Sequence, residues 1–311
     1  MSIKVAIIGG AGRVGSTAAY ALQLGRIVRQ ITLIDVNEDQ AAGEALDLMH
    51  GSSLWADQTI ESGPPTAASD AQVVCITAGS RRKPDESRLD LINRNVALFK
   101  SILESLRENQ LRSDAIIFVV SNPVDVLTRL TIEQLGWPPS QTLGLGTVLD
   151  TTRFCSLIAA AKQLPPTQVS ALILGEHGDS MTPIWSSSSV GGMPLTKLLS
   201  VHEQLQLLER TRQSGAEVIR RKGGAGYAVG IGIAQVIHAI VLDQQRIWPV
   251  STQMQGQYGL KKVCLSIPTV IGRAGVVGYQ ALELWPKEIA GLQASARTLD
   301  ATWSRLAEAS S

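Results

Sequence analysis

Cysteine is scarce in this 311-residue chain: only Cys75, Cys155 and Cys264 occur, widely separated and without a CxxC pair. That scarcity excludes a disulfide framework and a cysteine zinc site, and it fits a reducing cytoplasm. Four scattered histidines add no ligand constellation, so no metal is expected. A surplus of either charge is missing as well. The formal net charge is +1, whereas phosphate recognition needs a clear basic excess, so no nucleic-acid partner is expected. No apolar run is long enough to span a bilayer; the longest, 228–241, contains Gln235 and His238, and no membrane partner is expected. The apolar start of the chain passes directly into a glycine-rich turn and reads as a strand, not a signal peptide. There is no linker rich in Pro, Gly or Ser, no internal repeat and no low-complexity segment.

What remains is the composition of a globular protein, 44% apolar and 18% charged. The first half alternates apolar, β-rich runs (3–9, 30–36, 71–79, 115–122) with amphipathic stretches such as 88–108. Continuous apolar strands separated by helices imply a parallel sheet covered on both faces. After about residue 144 the pattern changes. A helix-like stretch at 151–164, a strand at 169–178, and helices near 203–222, 227–244 and 286–307 predict a second, mixed α/β domain.

GAGRVG (10–15) lies between a predicted strand and a predicted helix. In that setting Gly10 permits a tight turn, Gly12 lets the backbone approach a pyrophosphate, and Gly15 allows close helix–strand packing. The N–H groups at the helix start, around Ala11, Arg13 and Val14, then face the diphosphate. Asp35 stands twenty positions beyond Gly15, at the end of the second strand. A carboxylate there accepts hydrogen bonds from the adenosine ribose and repels a 2′-phosphate, so NAD is favoured over NADP.

GEHGDS (175–180) ends a predicted strand with His177 between Gly175 and Gly178, a setting suited to proton transfer near neutral pH. LDTTR (149–153) puts Asp150 and Arg153 one helical turn apart on one face. An aspartate bonded to one imidazole nitrogen fixes the tautomer, and an arginine matches a substrate carboxylate. Asn122, in SNP at a strand end, is placed to meet a polar substrate group. Each of these residues alone also has a purely structural reading as a salt bridge, cap or turn.

The ordered set GAGRVG, LID, ITAG–SRRKPDESR, VSNPVD, GTVLDTTRF, GEHGDS and GQYGL…SIPTVIGRAGV resembles the lactate/malate dehydrogenase family over nearly the whole chain. The resemblance implies a Rossmann-type doubly wound parallel sheet, residues 1–144, binding NAD, followed by a mixed α/β catalytic domain, 145–311. It implies hydride transfer between nicotinamide C4 and C2 of a small 2-oxo or 2-hydroxy acid, and a homodimer or homotetramer. By position, His177 is the proton donor and acceptor, Asp150 orients it, and Arg153 binds the substrate carboxylate. Asn122 touches substrate and cofactor, and Asn95, Val120 and Ser121 fall at cofactor-contacting positions.

SRRKPDESR (80–88) matches the family's substrate-closing loop, with Arg88 at the carbonyl-polarising position. Lactate-type members resemble QKPGETR there and malate-type members RKPGMSR; this chain has RKPDESR, so Arg82 is expected to grip a second carboxylate. Malate dehydrogenase, with its place in the tricarboxylic acid cycle, is therefore the expectation, and L-lactate dehydrogenase the alternative. Glu86 is the lactate-type residue, Asp85 replaces a glycine of both types, and LDLMHGS (46–52) is closer to lactate-type sequences. Tyr258 and Lys262 have the YxxxK spacing of short-chain dehydrogenases but lie too late in the chain. A scaffold without activity would have no use for Asp150, His177, Arg88 and Arg153 together.

Overall fold

The computed structural model describes residues 3–80 and 88–308. Strands β1 (Lys4–Ile8), β2 (Gln30–Ile34), β3 (Thr59–Ser62), β4 (Val73–Ile76), β5 (Ile116–Val119) and β6 (Thr142–Gly144) alternate with helices α1 (Arg13–Gly25), α2 (Glu38–Trp55), α3 (Arg88–Glu108) and α4 (Val124–Leu135). These strands run parallel in the order β3-β2-β1-β4-β5-β6. That is the doubly wound order, whose ligand crevice lies at the carboxyl ends of the strands.

The apolar runs are continuous because successive side chains feed opposite faces of the sheet. Val5, Ile7, Val73, Cys75, Ile116 and Phe118 enter one core cluster. Their neighbours Ala6, Val74, Ile76, Ile117 and Val119 enter another. On the first face lie Ala18 and Leu22 of α1, and on the second Phe99 and Leu103 of α3 and Leu127 of α4.

The second half continues with α5 (Val148–Lys162) and the short strands β7 (Val169–Ser170), β8 (Ile173–Leu174), β9 (Thr182–Pro183), β10 (Ser189–Val190) and β11 (Met193–Pro194). Helices α6 (Leu195–Leu198), α7 (Val201–Lys222) and α8 (Tyr227–Val241) lead to β12 (Arg246–Gln255), β13 (Lys261–Gly272), β14 (Gly275–Tyr279) and α9 (Pro286–Glu308). The single strand expected at 169–178 is broken. β7 pairs with β10 while β8 pairs with β9, so the chain changes partners between them.

Antiparallel β12, β13 and β14 extend the parallel sheet to nine strands through Ser251 opposite Gly144. The long apolar run of α8 is explained by burial against α1. Contact there is close enough to need glycine: a Cβ on Gly230 would lie 2.9 Å from the Thr17 carbonyl oxygen. Among the described residues no helix is long and apolar enough to cross a membrane.

Candidate active site

The dinucleotide end is built where β1 stops. Gly9 has φ +87°, and a Cβ there would stand 2.5 Å from the Ala78 amide nitrogen. The tight turn therefore falls on Gly9, one residue before the Gly10 expected to make it. Crowding requires Gly10 instead, since its Cβ would lie 2.7 Å from Leu33 Cβ. Gly15 packs against the Gly9 carbonyl with no space for a side chain. Gly12 is the N-cap of α1 and offers no side-chain acceptor to the first N–H groups of the helix, which leaves its positive end open to an anion.

Asp35 closes this end. Its Oδ2 accepts the Ala11 N–H at 3.1 Å and its Oδ1 the Asn37 N–H at 3.1 Å. A carboxylate accepts up to about four hydrogen bonds, so both oxygens retain capacity for ribose hydroxyls. Glycine cradle, uncapped helix and anchored acid together fit a dinucleotide. Val14 packs on the core. The side chain of Arg13 turns elsewhere, donating to the carbonyls of Lys222 and Gly224 at 2.7 and 2.9 Å, and so ties the glycine loop to the end of α7.

Val120, Ser121 and Asn122 follow β5, and the Val120 and Ser121 N–H groups both donate to the Ile76 carbonyl, at 2.8 and 3.1 Å. The Ser121 hydroxyl also donates to that carbonyl, at 3.2 Å. The Asn122–Pro123 peptide is cis. Asn95, buried on α3, accepts the Ser80 N–H at 2.8 Å and donates to the Asn122 carbonyl at 3.1 Å. It joins the start of the SRRKPDESR stretch to the SNP turn.

The first turn of α5 and the turn after β8 bring the chemical residues together. Asp150, 1% exposed, contacts His177 Nδ1 through Oδ2 at 2.5 Å and accepts from Arg153 Nη1 through Oδ1 at 3.1 Å. One carboxylate thus bridges imidazole and guanidinium. Burial pushes the Asp150 carboxyl up, but His177 and then Arg153 outweigh it and hold it below its ordinary value. Burial likewise opposes the imidazolium, but Asp150, with help from Asp125, raises the His177 pKa above its ordinary value. Contact with Asp150 at Nδ1 leaves Nε2 as the ring nitrogen for substrate. Gly215 of α7 packs near Arg153: an added Cβ would stand 3.5 Å from Nη1.

Asp125 was not singled out in the sequence, although VSNPVD carries it two residues past the proline. Its Oδ2 accepts the His177 backbone N–H at 2.8 Å. A cavity of about 520 Å³ opens beside His177, lined also by Asp125, Glu176, Asp179 and Arg305. Arg82 lies outside the described residues. Arg88 begins α3, with its side chain outside the description. Among the described residues no group of His, Cys, Asp and Glu could hold a metal ion.

Residues 3–144 match the lactate/malate dehydrogenase NAD-binding domain, and residues 147–309 match the alpha/beta C-terminal domain of the same family. The chain belongs to the lactate/malate dehydrogenase family. NAD is its cofactor, and it is an NAD-dependent enzyme of that family acting on a small hydroxy or oxo acid. It is 41% identical over 300 residues to the L-lactate dehydrogenase of Synechococcus sp. (strain JA-3-3Ab), covering 96% of this chain and 97% of that protein. Against the L-lactate dehydrogenase of Gloeobacter violaceus the identity is 36% over 307 residues, covering 96% and 92%. The crystal structure of a minor L-lactate dehydrogenase from Enterococcus mundtii matches with TM-score 0.94 at 35% identity, covering 98% of each chain.

These relatives overturn the malate dehydrogenase expectation, and the tricarboxylic acid cycle role with it, in favour of the lactate alternative. That expectation rested chiefly on Arg82. Among the described residues the cavity beside His177 is lined by Asp125, Glu176, Asp179 and Arg305.

Proposed function

We propose that the chain is an NAD-dependent L-lactate dehydrogenase interconverting pyruvate and L-lactate. The observation that carries the chemistry is the Asp150 carboxylate shared between His177 and Arg153; the names of the relatives support the choice of substrate. NADH, when bound, supplies the hydride for C2 of pyruvate. His177 gives its Nε2 proton to the carbonyl oxygen, and Asp150 stabilises the imidazolium before transfer and fixes the neutral tautomer after it. Arg153 pairs with the pyruvate carboxylate, Asn122 hydrogen-bonds the substrate, and Arg88 polarises the carbonyl.

For the cofactor, the glycine loop from Gly10 to Gly15 holds the diphosphate and Asp35 the ribose, while Asn95, Val120 and Ser121 shape the floor at the ends of β4 and β5. The same proposal assigns residues 1–144 to cofactor binding and 145–311 to catalysis, and includes a cytoplasmic homodimer or homotetramer. His177→Asn tests it. Pyruvate reduction should be abolished while NADH binding, read by fluorescence titration, stays within about twofold, because the cofactor contacts lie elsewhere. Retained turnover would remove His177 from the chemistry.

A further inference from the structure

Asp125 stands in the first turn of α4, 3% exposed, in the same short segment as Asn122. That segment is locally braced, since Asn122 Oδ1 accepts the Val124 N–H at 3.3 Å. From it, Asp125 Oδ2 accepts the backbone N–H of His177 at 2.8 Å. Oδ1 is buried and makes no well-formed hydrogen bond among the described residues, although the Ser251 side chain of β12 lies close to the carboxylate. For a purely structural acceptor this is a poor arrangement. An asparagine would take the same N–H without drawing a charge out of water. The charge has a use only if something nearby becomes positive, and the neighbour that does is the imidazole of His177.

We propose that Asp125 is a positioning residue of the dehydrogenase site, anchoring the His177 backbone to α4 and supplying a second negative charge that stabilises the imidazolium. The inference rests on His177 being the proton donor. His177 is thereby held from two sides, by Asp150 at the ring and by Asp125 at the main chain.

The surroundings agree with this assignment. Among the described residues the charged groups acting on His177 are Asp150 and Arg153 from α5 and Asp125 from α4, with Arg153 opposing the imidazolium. Asp125 itself meets His177, Glu176 and the Ser251 side chain of β12. On its far side lie Arg129 of α4 and the Cys264 thiol of β13, and across the cavity Asp179 and Arg305 of α9. Burial pushes the Asp125 carboxyl up to about 6, restrained by Ser251 and by His177. The same segment therefore carries Asn122, which meets substrate, and the anchor of the proton donor.

Asp125→Asn keeps an acceptor and the shape but removes the charge; Asp125→Ala removes both. The readouts are the pH profile of kcat/KM for pyruvate and the His177 imidazole titration by NMR, assigned by its loss in His177→Asn. In Asp125→Asn the pH at which His177 loses its proton should fall by about 0.5–1 pH unit, with NADH affinity unchanged. In Asp125→Ala the same fall should be joined by a kcat about 10- to 100-fold lower, because the His177 backbone loses its anchor. Should the alanine variant not fold, the asparagine variant carries the test alone. A His177 titration in Asp125→Asn identical to the unmodified protein overturns the proposal. If pyruvate is not turned over yet the NMR midpoint still shifts, the substrate reading fails and the role of Asp125 stands.

Discussion

Asp150 Oδ2 lies 2.5 Å from His177 Nδ1, and the other oxygen of the same buried carboxylate receives Arg153 Nη1 at 3.1 Å. The acid therefore sets the imidazole tautomer and the position of the guanidinium together. Asp150→Asn should leave a folded enzyme that binds NADH but is slower by about two to four decades in kcat/KM. Its pH profile should also move. The His177 pKa is raised above 6.5 chiefly by Asp150 working against burial, so without the carboxylate pyruvate reduction should fail at lower pH. Stopped-flow traces across pH check both effects, and an unshifted profile would show that Asp150 acts only through shape.

The same pair links stability to pH. The contribution from His177 is complete below its ordinary pKa of 6.5 and is lost as pH rises through the raised folded value. That from Asp150 is complete above 3.8 and is lost as pH falls through the lowered folded value. His238 on α8 acts in the opposite sense to His177. Burial lowers its pKa below 6.5, and its Nε2 has no hydrogen-bond partner among the described residues. As pH falls below 6.5 the unfolded chain takes up a proton that the folded chain resists, so stability drops. His238→Gln should flatten this acid limb in calorimetric scans between neutral pH and pH 5, without changing kcat. An acid limb as steep as in the unmodified protein would assign the loss to other groups.

Asp35 should make NADH strongly preferred over NADPH, because the carboxylate both accepts from the ribose and repels an added phosphate. Asp35→Ser should narrow the ratio of kcat/KM values by about one to two decades, mainly by improving NADPH use. A ratio near one in the unmodified protein would contradict the assignment.

Much of this architecture is legible in the sequence because it is local. Val5 and Ile7 alternate with Ala6 on a strand buried on both faces, and the glycine turn follows at once, so strand, turn and helix can be read in order. The pairing of Ser251 with Gly144 that adds β12 to the sheet joins residues over a hundred positions apart, and no local pattern announces it. The packing of α8 on α1 is equally remote; only the apolar run from 228 to 241 shows that the helix is buried. Gly9 was overlooked because two adjacent glycines make the turn ambiguous, and the crowding of Gly10 by Leu33 resolves it. Asp125 was overlooked because an acid in VDVL reads as a first-turn helix residue until His177 is brought to it. Substrate choice was misread chiefly from Arg82, since one cation in a loop does not decide it against the likeness of the whole chain to L-lactate dehydrogenases.

The measurement that tests the central claim most directly is kcat/KM for pyruvate against oxaloacetate, with NADH at saturation. The proposed L-lactate dehydrogenase activity predicts that the protein favours pyruvate by at least about tenfold. A preference for oxaloacetate that collapses in Arg82→Gln would contradict the lactate assignment.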